Sequence, residues 1–156
     1  MYGKLSDAFD AVVVKNLSRV DTPKGGSHQH EIGGLVKAGL GALLNQRSLG
    51  SPRAEFKGTY VSISDSRDPI VSTGPAVWYD SRAGKAGRGP EYRLYYKDND
   101  AVNEFREGDL LLVALSKKDE LLIVCAPQGS ESERQLKAVF SRLLKNGRTL
   151  RWTRST

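Results

Sequence analysis

Residues 110–126 read LLLVALSKKDELLIVCA, in which a short polar turn separates two apolar runs. Each run has the length of a β-strand and is rich in leucine, valine and isoleucine, and residues 117–119 supply the turn. The segment therefore predicts a β-hairpin in the core of the protein. Cys125, the single cysteine, is predicted to be a buried thiol without an internal disulfide, which favours a reducing cytoplasm.

Other apolar stretches predict five further strands and two helices. The strands are expected at 9–17, 56–63, 70–72, 76–79 and 94–96, and the first, with three consecutive valines, is expected to be central. A short helix is expected at 35–44, and a second should run from a capping box at Ser130 and Glu133 as far as residue 144. The predicted fold is therefore mainly β, a seven-stranded barrel or pseudobarrel with two short helices closing its ends.

The length of 156 residues and the mass of 17.1 kDa correspond to one domain. We predict this domain at residues 1–147. Residues 148–156 contain three arginines and predict either a terminal strand or a basic tail that begins a linker. No apolar run approaches the roughly 18 residues of a membrane span, and the amino terminus lacks a signal-peptide pattern, so no membrane partner is expected. The net charge of +6 and the pI of about 9.5 favour an anionic partner such as nucleic acid.

Residues 80–93, DSRAGKAGRGPEYR, are the segment that says most about function, and we call them the C-arm. Four cations, Arg82, Lys85, Arg88 and Arg93, lie among glycines and a proline, together with Glu91. Predicted strands flank the segment, so it should form an arm that can carry its cations close to a phosphate backbone. Like charges this close repel one another, which favours a polyanionic partner.

Residues 18–31, SRVDTPKGGSHQHE, form a second polar segment, which we call the N-arm. Proline and glycines interrupt it, and it is long for a plain connection between two strands. In the major groove, guanine presents two hydrogen-bond acceptors that match the two donor groups of an arginine side chain. Cytosine presents an amino group that can donate a hydrogen bond to a carboxylate. Both arms carry such donors and acceptors, so together they predict direct reading of base pairs, with lysines and backbone amides on phosphates.

Other chemistries fit the sequence less well. Glu55 and Lys57 match half of a metal-dependent nuclease site, but a second carboxylate on a preceding strand is missing. His28, His30 and Cys125 do not supply a zinc-binding set at known spacings. We therefore predict no catalytic residue and no metal site in this domain. A minimal metal nuclease stays open as an alternative, as does an RNA-binding module that stacks bases on aromatic side chains, for which the candidates are Trp78, Tyr79, Tyr95 and Tyr96.

The order of these features resembles the amino-terminal DNA-recognition (effector) domain of EcoRII-type restriction endonucleases, of the DNA-binding pseudobarrel superfamily. The resemblance covers about residues 8–126 and rests on the layout together with two motifs: GGSHQ at 25–29, and WYDS at 78–81, which leads into the C-arm. It implies a seven-stranded pseudobarrel that grips the major groove of double-stranded DNA with two arms. A short site of the form CCWGG is implied as the target.

The resemblance also implies which residues contact DNA. They are Arg19, Asp21, Thr22, Lys24, His28, Gln29, His30 and Glu31 in the N-arm, and Ser81, Arg82, Lys85, Arg88, Glu91, Tyr92 and Arg93 in the C-arm. The domain itself should need no cofactor. Catalysis would belong to a covalently linked, Mg²⁺-dependent nuclease domain of the parent type II restriction endonuclease, a monomer in the bacterial cytoplasm. A transcription-factor-like module is a further alternative.

Overall fold

The computed structural model describes residues 8–23, 30–145 and 149–152. The described residues form one mixed sheet of eight strands that curls into a half-barrel. The strands are β1 (Phe9–Asn16), β2 (Glu31–Ile32), β3 (Arg53–Ser62), β4 (Ile70–Asp80), β5 (Tyr92–Tyr96), β6 (Leu110–Ser116), β7 (Glu120–Ala126) and β8 (Thr149–Trp152). The α-helices are α1 (Gly41–Arg47) and α2 (Glu131–Lys145), and short 3-10 turns lie at Arg19–Asp21 and Val102–Glu104.

The spatial order of the strands is β2-β5-β4-β3-β7-β6-β1-β8. Strands β3 and β7 are parallel, as are β1 and β8, and every other neighbouring pair is antiparallel. The prediction of a mainly β, pseudobarrel-like fold with two helices is confirmed. Seven of the described strands have four residues or more, and the eighth, β2, has two.

The hairpin predicted from residues 110–126 is present as β6 and β7, with Leu110 opposite Ala126 and Leu115 opposite Leu121. The two strands predicted at 70–72 and 76–79 are one strand, β4, which pairs continuously with β3. Pro75 is tolerated inside β4 because β5 pairs with this strand only from Ala76 onward, so the preceding stretch has a single neighbour.

Apolar side chains fill both faces of one half of the sheet. The inner face holds the larger cluster, which includes the fully buried Trp78, Tyr60 and Phe105. On the outer face, Leu136 and Phe140 of α2 cover β1, β6 and β7. This double burial accounts for the continuous apolar runs in β1 and β6. Cys125 is 2% exposed, as predicted, and burial raises the pKa of its thiol.

The helix predicted at 35–44 begins later than expected, at Gly41. Gly39 adopts φ 99°, a conformation that an α-helix does not contain, so residues 35–39 form a separate turn. Gly41 allows the start of α1 to pack closely against the backbone of Val36, because a Cβ at residue 41 would lie only 2.8 Å from the Cα of Val36. Leu35, Leu40 and Leu44, from the apolar pattern behind that prediction, are all fully buried.

The predicted capping box at the start of α2 is half formed, and Asp65 supplies further hydrogen bonds. Ser130 Oγ accepts a hydrogen bond from the amide of Glu133 at 3.0 Å, whereas Glu133 Oε1 accepts from Gly129. Asp65, from the loop between β3 and β4, accepts from the amides of Glu131 and Ser132 and from the Ser132 hydroxyl. These hydrogen bonds lower the pKa of Asp65, the Ser132 hydroxyl contributing most.

Residues 149–152 pair in parallel with β1, with Ala11 opposite Thr149. Residues 148–156 were predicted to be either a terminal strand or a basic tail, and residues 149–152 form a strand. The sheet therefore continues past the predicted domain boundary at residue 147. The part of the chain that the structure describes contains no helix that is both long and apolar enough for a membrane span.

Candidate nucleic-acid interface

The C-arm leaves the sheet between β4 and β5, and Asp80 closes its base. Asp80 Oδ1 accepts hydrogen bonds from the amides of Arg82 and Glu91, each at 2.9 Å. The amide and the hydroxyl of Ser81 both donate to the carbonyl of Glu91, at 2.8 and 3.0 Å. Ser81, predicted to contact DNA, thus has its hydroxyl engaged in fixing the loop. Asp80 was missed as a positioning residue, although an aspartate at a strand end is a known turn signal.

Residues 83–90, which we call the C-arm tip, stand away from the rest of the protein. All eight residues are exposed. Gly84 and Gly87 have φ values of 79° and 77°, and a Cβ added at either would meet no other atom within 4 Å. Lys85 and Arg88 lie in this tip, and neither has an ion-pair partner among the described residues. Their two positive charges are therefore available to an external anion.

The other charged residues of the C-arm are paired with one another. Glu91 Oε2 lies 2.6 Å from Arg82 Nη2, and Glu91 Oε1 accepts a hydrogen bond from Arg93 Nε at 2.9 Å. Arg93 Nη1 also donates to Glu31 Oε1 at 3.0 Å. We call Glu31, Arg82, Glu91 and Arg93 the arm network. Its two cations and two carboxylates sum to no net charge.

The same contacts shift the pKa values of Glu91 and Arg93. The hydrogen bond from Arg93 and the nearby positive charges lower the pKa of Glu91, and the two carboxylates raise the pKa of Arg93. Both shifts favour the charged forms of Glu91 and Arg93. The network presents both donors and acceptors, as the edge of a G·C pair does.

Tyr92 points to the opposite side of β5 from Arg93. Its ring stacks on the buried Trp78, with centroids 5.3 Å apart and planes 12° from parallel. Trp78 Nε1 donates to Asn45 Oδ1 of α1 at 2.8 Å. Tyr92 therefore contributes to packing at the base of the C-arm, and we remove it from the candidate DNA contacts.

Two predicted N-arm contacts, Asp21 and Thr22, lie inside the protein, with 1% and 2% of their surfaces exposed. Asp21 Oδ2 accepts from Lys15 Nζ at 2.7 Å and from the amide of Ser18 at 2.8 Å. Asp21 Oδ1 accepts from the amide of Gly33 at 3.1 Å. A buried lysine requires a partner of opposite charge, and Asp21 is that partner. Neither Asp21 nor Thr22 is placed to contact DNA.

Apart from Glu31, the remaining N-arm predictions fall into three groups. Arg19, the second residue of the N-arm, is exposed. His30 is half-buried, with Nε2 2.8 Å from Asp98 Oδ1 and its ring edge-on to Tyr96. Lys24, His28 and Gln29 lie outside the described residues.

Glu31 brings the two arms together. It stands at the end of the N-arm, opposite Tyr95 in the β2–β5 pair, and its carboxylate meets Arg93 of the C-arm. A depression between the arms is lined by Val20, Glu31, Gly33, Glu91 and Arg93. The structure therefore places the end of the N-arm beside the base of the C-arm.

A second depression, of about 520 Å³, lies on the outer face of the sheet and opens to solvent. Glu31, Arg53, Tyr79 and Tyr95 line it. Tyr79 and Tyr95 are half-buried, whereas Trp78 and Tyr96, named with them as possible stacking residues, are fully buried. Arg53 was not predicted as a site residue. Alternate residues of a strand lie on the same face, so Arg53 shares the outer face of β3 with Glu55 and Lys57, and this alternation could have identified it.

Glu55 and Lys57, the pair considered for nuclease chemistry, are both exposed on the outer face of β3. They lie opposite Val77 and Pro75 of β4. Within residues 8–23, 30–145 and 149–152 there is no group of three or more histidine, cysteine, aspartate or glutamate side chains that could hold a metal ion.

No protein-family model matches this sequence, and no curated protein matches it either.

Proposed function

We propose that this chain is a sequence-specific module that binds double-stranded DNA through its major groove. The observation that carries the proposal is the C-arm tip, in which Lys85 and Arg88 are exposed and have no ion-pair partner in the described part of the chain. The overall charge of +6 supports an anionic partner. A duplex offers phosphates to such cations and, in the major groove, room for an arm of this kind.

The arm network supports reading of base pairs beyond phosphate contact. A phosphate offers acceptors only, so it would attract Arg82 and Arg93 but repel Glu31 and Glu91. The major-groove edge of a G·C pair offers guanine O6 and N7 to an arginine and the cytosine amino group to a carboxylate. A G·C-containing site is therefore the partner that can satisfy both halves of the network.

The narrower identity rests on the sequence resemblance to EcoRII-type effector domains. On that basis we propose a CCWGG-type target and a role as the effector or targeting module of a type II restriction endonuclease. The module would have no catalytic activity of its own, and a linked Mg²⁺-dependent nuclease domain would cut the DNA. We propose that it works as a monomer in the bacterial cytoplasm.

A gel-shift series at fixed salt tests the proposal, using a CCWGG duplex and duplexes with one base pair changed at a time. The wild-type protein is expected to prefer one sequence. Arg88→Ala should weaken binding by about 1–3 kcal/mol, because a base or phosphate contact is lost. Arg134→Ala is the control, since Arg134 is an exposed cation on α2, behind the other half of the sheet. Equal binding of all duplexes, or equal effects of the two substitutions, would contradict the proposal.

Single-stranded RNA is the second candidate partner, and the outer-face depression favours it. Tyr79 and Tyr95 are accessible there beside Arg53, and stacking of bases on tyrosine is a common way to hold unpaired RNA. Competition between the duplex and single-stranded RNA of equal length separates the two functions. Tyr95→Ala should weaken RNA binding and leave duplex binding unchanged if RNA is the partner.

A further inference from the structure

The loop between α1 and β3 carries an apolar side chain that the fold does not use. Leu49 is 93% exposed and adopts φ 56°, in the left-handed region that branched side chains rarely occupy. Single exposed leucines are common on protein surfaces. The combination with a left-handed backbone is unusual, because glycine or asparagine would fit this position with less strain.

Backbone hydrogen bonds hold this loop in place. The amide of Leu49 donates to the carbonyl of Gln46, the amide of Gly50 to that of Asn45, and the amide of Ser51 to that of Ser48, all at 3.0 to 3.1 Å. None of these bonds involves the leucine side chain. The backbone of the loop is therefore held in place, and the Leu49 side chain extends from it into solvent.

The loop also adjoins the base of the C-arm. The carbonyl of Pro52 accepts a hydrogen bond from the amide of Asp80 at 2.9 Å, and the Asp80 carboxylate holds both ends of the arm. Arg53, the next residue, is exposed and without an ion-pair partner among the residues described. Leu49 thus lies in a loop whose other end, at Pro52, is hydrogen-bonded to the base of the arm.

We propose that Leu49 is a third contact element, whose side chain packs against the C5-methyl group of a thymine in the duplex that the C-arm binds. The inference rests on the proposed function. The exposed cations Arg53, Lys85 and Arg88 favour a polyanion, and a DNA duplex combines phosphates with an apolar feature. In the major groove the thymine methyl is the apolar group among the base edges. Leu49 would then help to select an A·T pair beside the G·C pairs that suit the arm network.

Replacing thymine by uracil removes this methyl group and keeps base pairing, so it tests the inference directly. Each thymine of a bound duplex is replaced in turn, and affinity is measured at fixed salt for wild type, Leu49→Ala and Leu49→Gly. At one thymine the replacement should weaken wild-type binding about fourfold, the value of one buried methyl group. Both variants should bind the thymine and uracil duplexes equally.

The two variants separate contact from loop rigidity, because alanine keeps the strained backbone and glycine relaxes it. An effect of Leu49→Gly alone would overturn the inference, as would the absence of any thymine at which wild type distinguishes uracil. Val71→Ala is the control, since Val71 is 60% exposed near the start of β4, far along that strand from the arm. If wild type binds no duplex, the proposed function itself fails. If it binds and Arg88→Ala weakens it, only the role of Leu49 remains to be decided by the uracil series.

Discussion

The N-arm and the C-arm look alike in the sequence, but their described residues differ in burial. Both are polar, contain glycines and carry mixed charges. The C-arm tip stands in solvent with Lys85 and Arg88 exposed, whereas Asp21 and Thr22 of the N-arm are buried. A charged loop residue can therefore belong to the interior of a fold as readily as to a binding surface.

The residue that explains the burial of Asp21 in the N-arm is Lys15, which lies outside both arms. This lysine follows Val12, Val13 and Val14 in a strand that is buried on both faces, and 5% of its surface is exposed. A cation in such a strand needs a carboxylate and further acceptors within reach. Asp21, six residues along the chain, meets that need, and the carbonyl of Gly33 is the second acceptor.

The largest effect is expected from Asp21→Ala, which should lower the free energy of unfolding by about 3–5 kcal/mol. The substitution removes the carboxylate partner of the buried Lys15 and also leaves the amides of Ser18 and Gly33 without their acceptor. Urea denaturation measures the loss. A change below about 1 kcal/mol would mean that the N-arm is as dispensable for folding as the C-arm.

Removing the two tip cations should give the opposite result. Lys85→Ala with Arg88→Ala should leave the free energy of unfolding unchanged, since neither side chain has an ion-pair partner within the described part of the chain. DNA binding should lose about 1–3 kcal/mol for each contact made. The slope of log affinity against log salt should fall by about 2, because each phosphate contact contributes roughly 0.9. An unchanged slope would show that the tip does not touch phosphates.

Asp65 extends the comparison to a loop outside both arms. Its carboxylate accepts three hydrogen bonds at the start of α2, so Asp65→Asn should lower the melting temperature, though less than Asp21→Ala does. The folded-state pKa of Asp65 is lowered. Its contribution to stability is thus present above the unfolded-state value, near pH 4, and is lost as pH falls through the lower folded-state value. Melting curves from pH 7 to pH 3 should show the difference between variant and wild type shrinking. A difference independent of pH would contradict this account.

Local patterns in the sequence predict much of the fold. The hairpin at 110–126, the apolar face of α2 and the burial of Cys125 all follow from runs of apolar residues and their periodicity. Local patterns do not predict which charged residues are buried and which are exposed, because burial depends on contacts between segments that are distant in the sequence. Glu31 meets Arg93 across 62 positions of the chain, and Asp65 meets Ser132 across 67.

The candidate site divides in the same way. Glycine content predicts that the C-arm leaves the sheet, and its exposed tip agrees with that. The pairing of Arg82 and Arg93 with Glu91 could be foreseen only as one possibility among several, since the C-arm has four cations and two carboxylates, Asp80 and Glu91. The inward direction of Tyr92 follows from strand alternation once the edge of β5 is known, and that edge depends on where Asp80 closes the loop.

Glu91→Gln should change stability only slightly, and it gives the finest test of the comparison between the two arms. The network is partly exposed, and ion pairs in such positions contribute about 0–1 kcal/mol, so the free energy of unfolding should change by less than that. Binding should respond differently, because the arm network goes from no net charge to +1 when one carboxylate is removed. Arg82 and Arg93 then become available to phosphates of any sequence. We expect tighter binding to unrelated duplexes, a salt slope larger by up to about 1, and poorer discrimination at one G·C pair. If Glu91→Gln instead destabilises the protein as strongly as Asp21→Ala, then Glu91 is a structural carboxylate and the contrast between the two arms disappears.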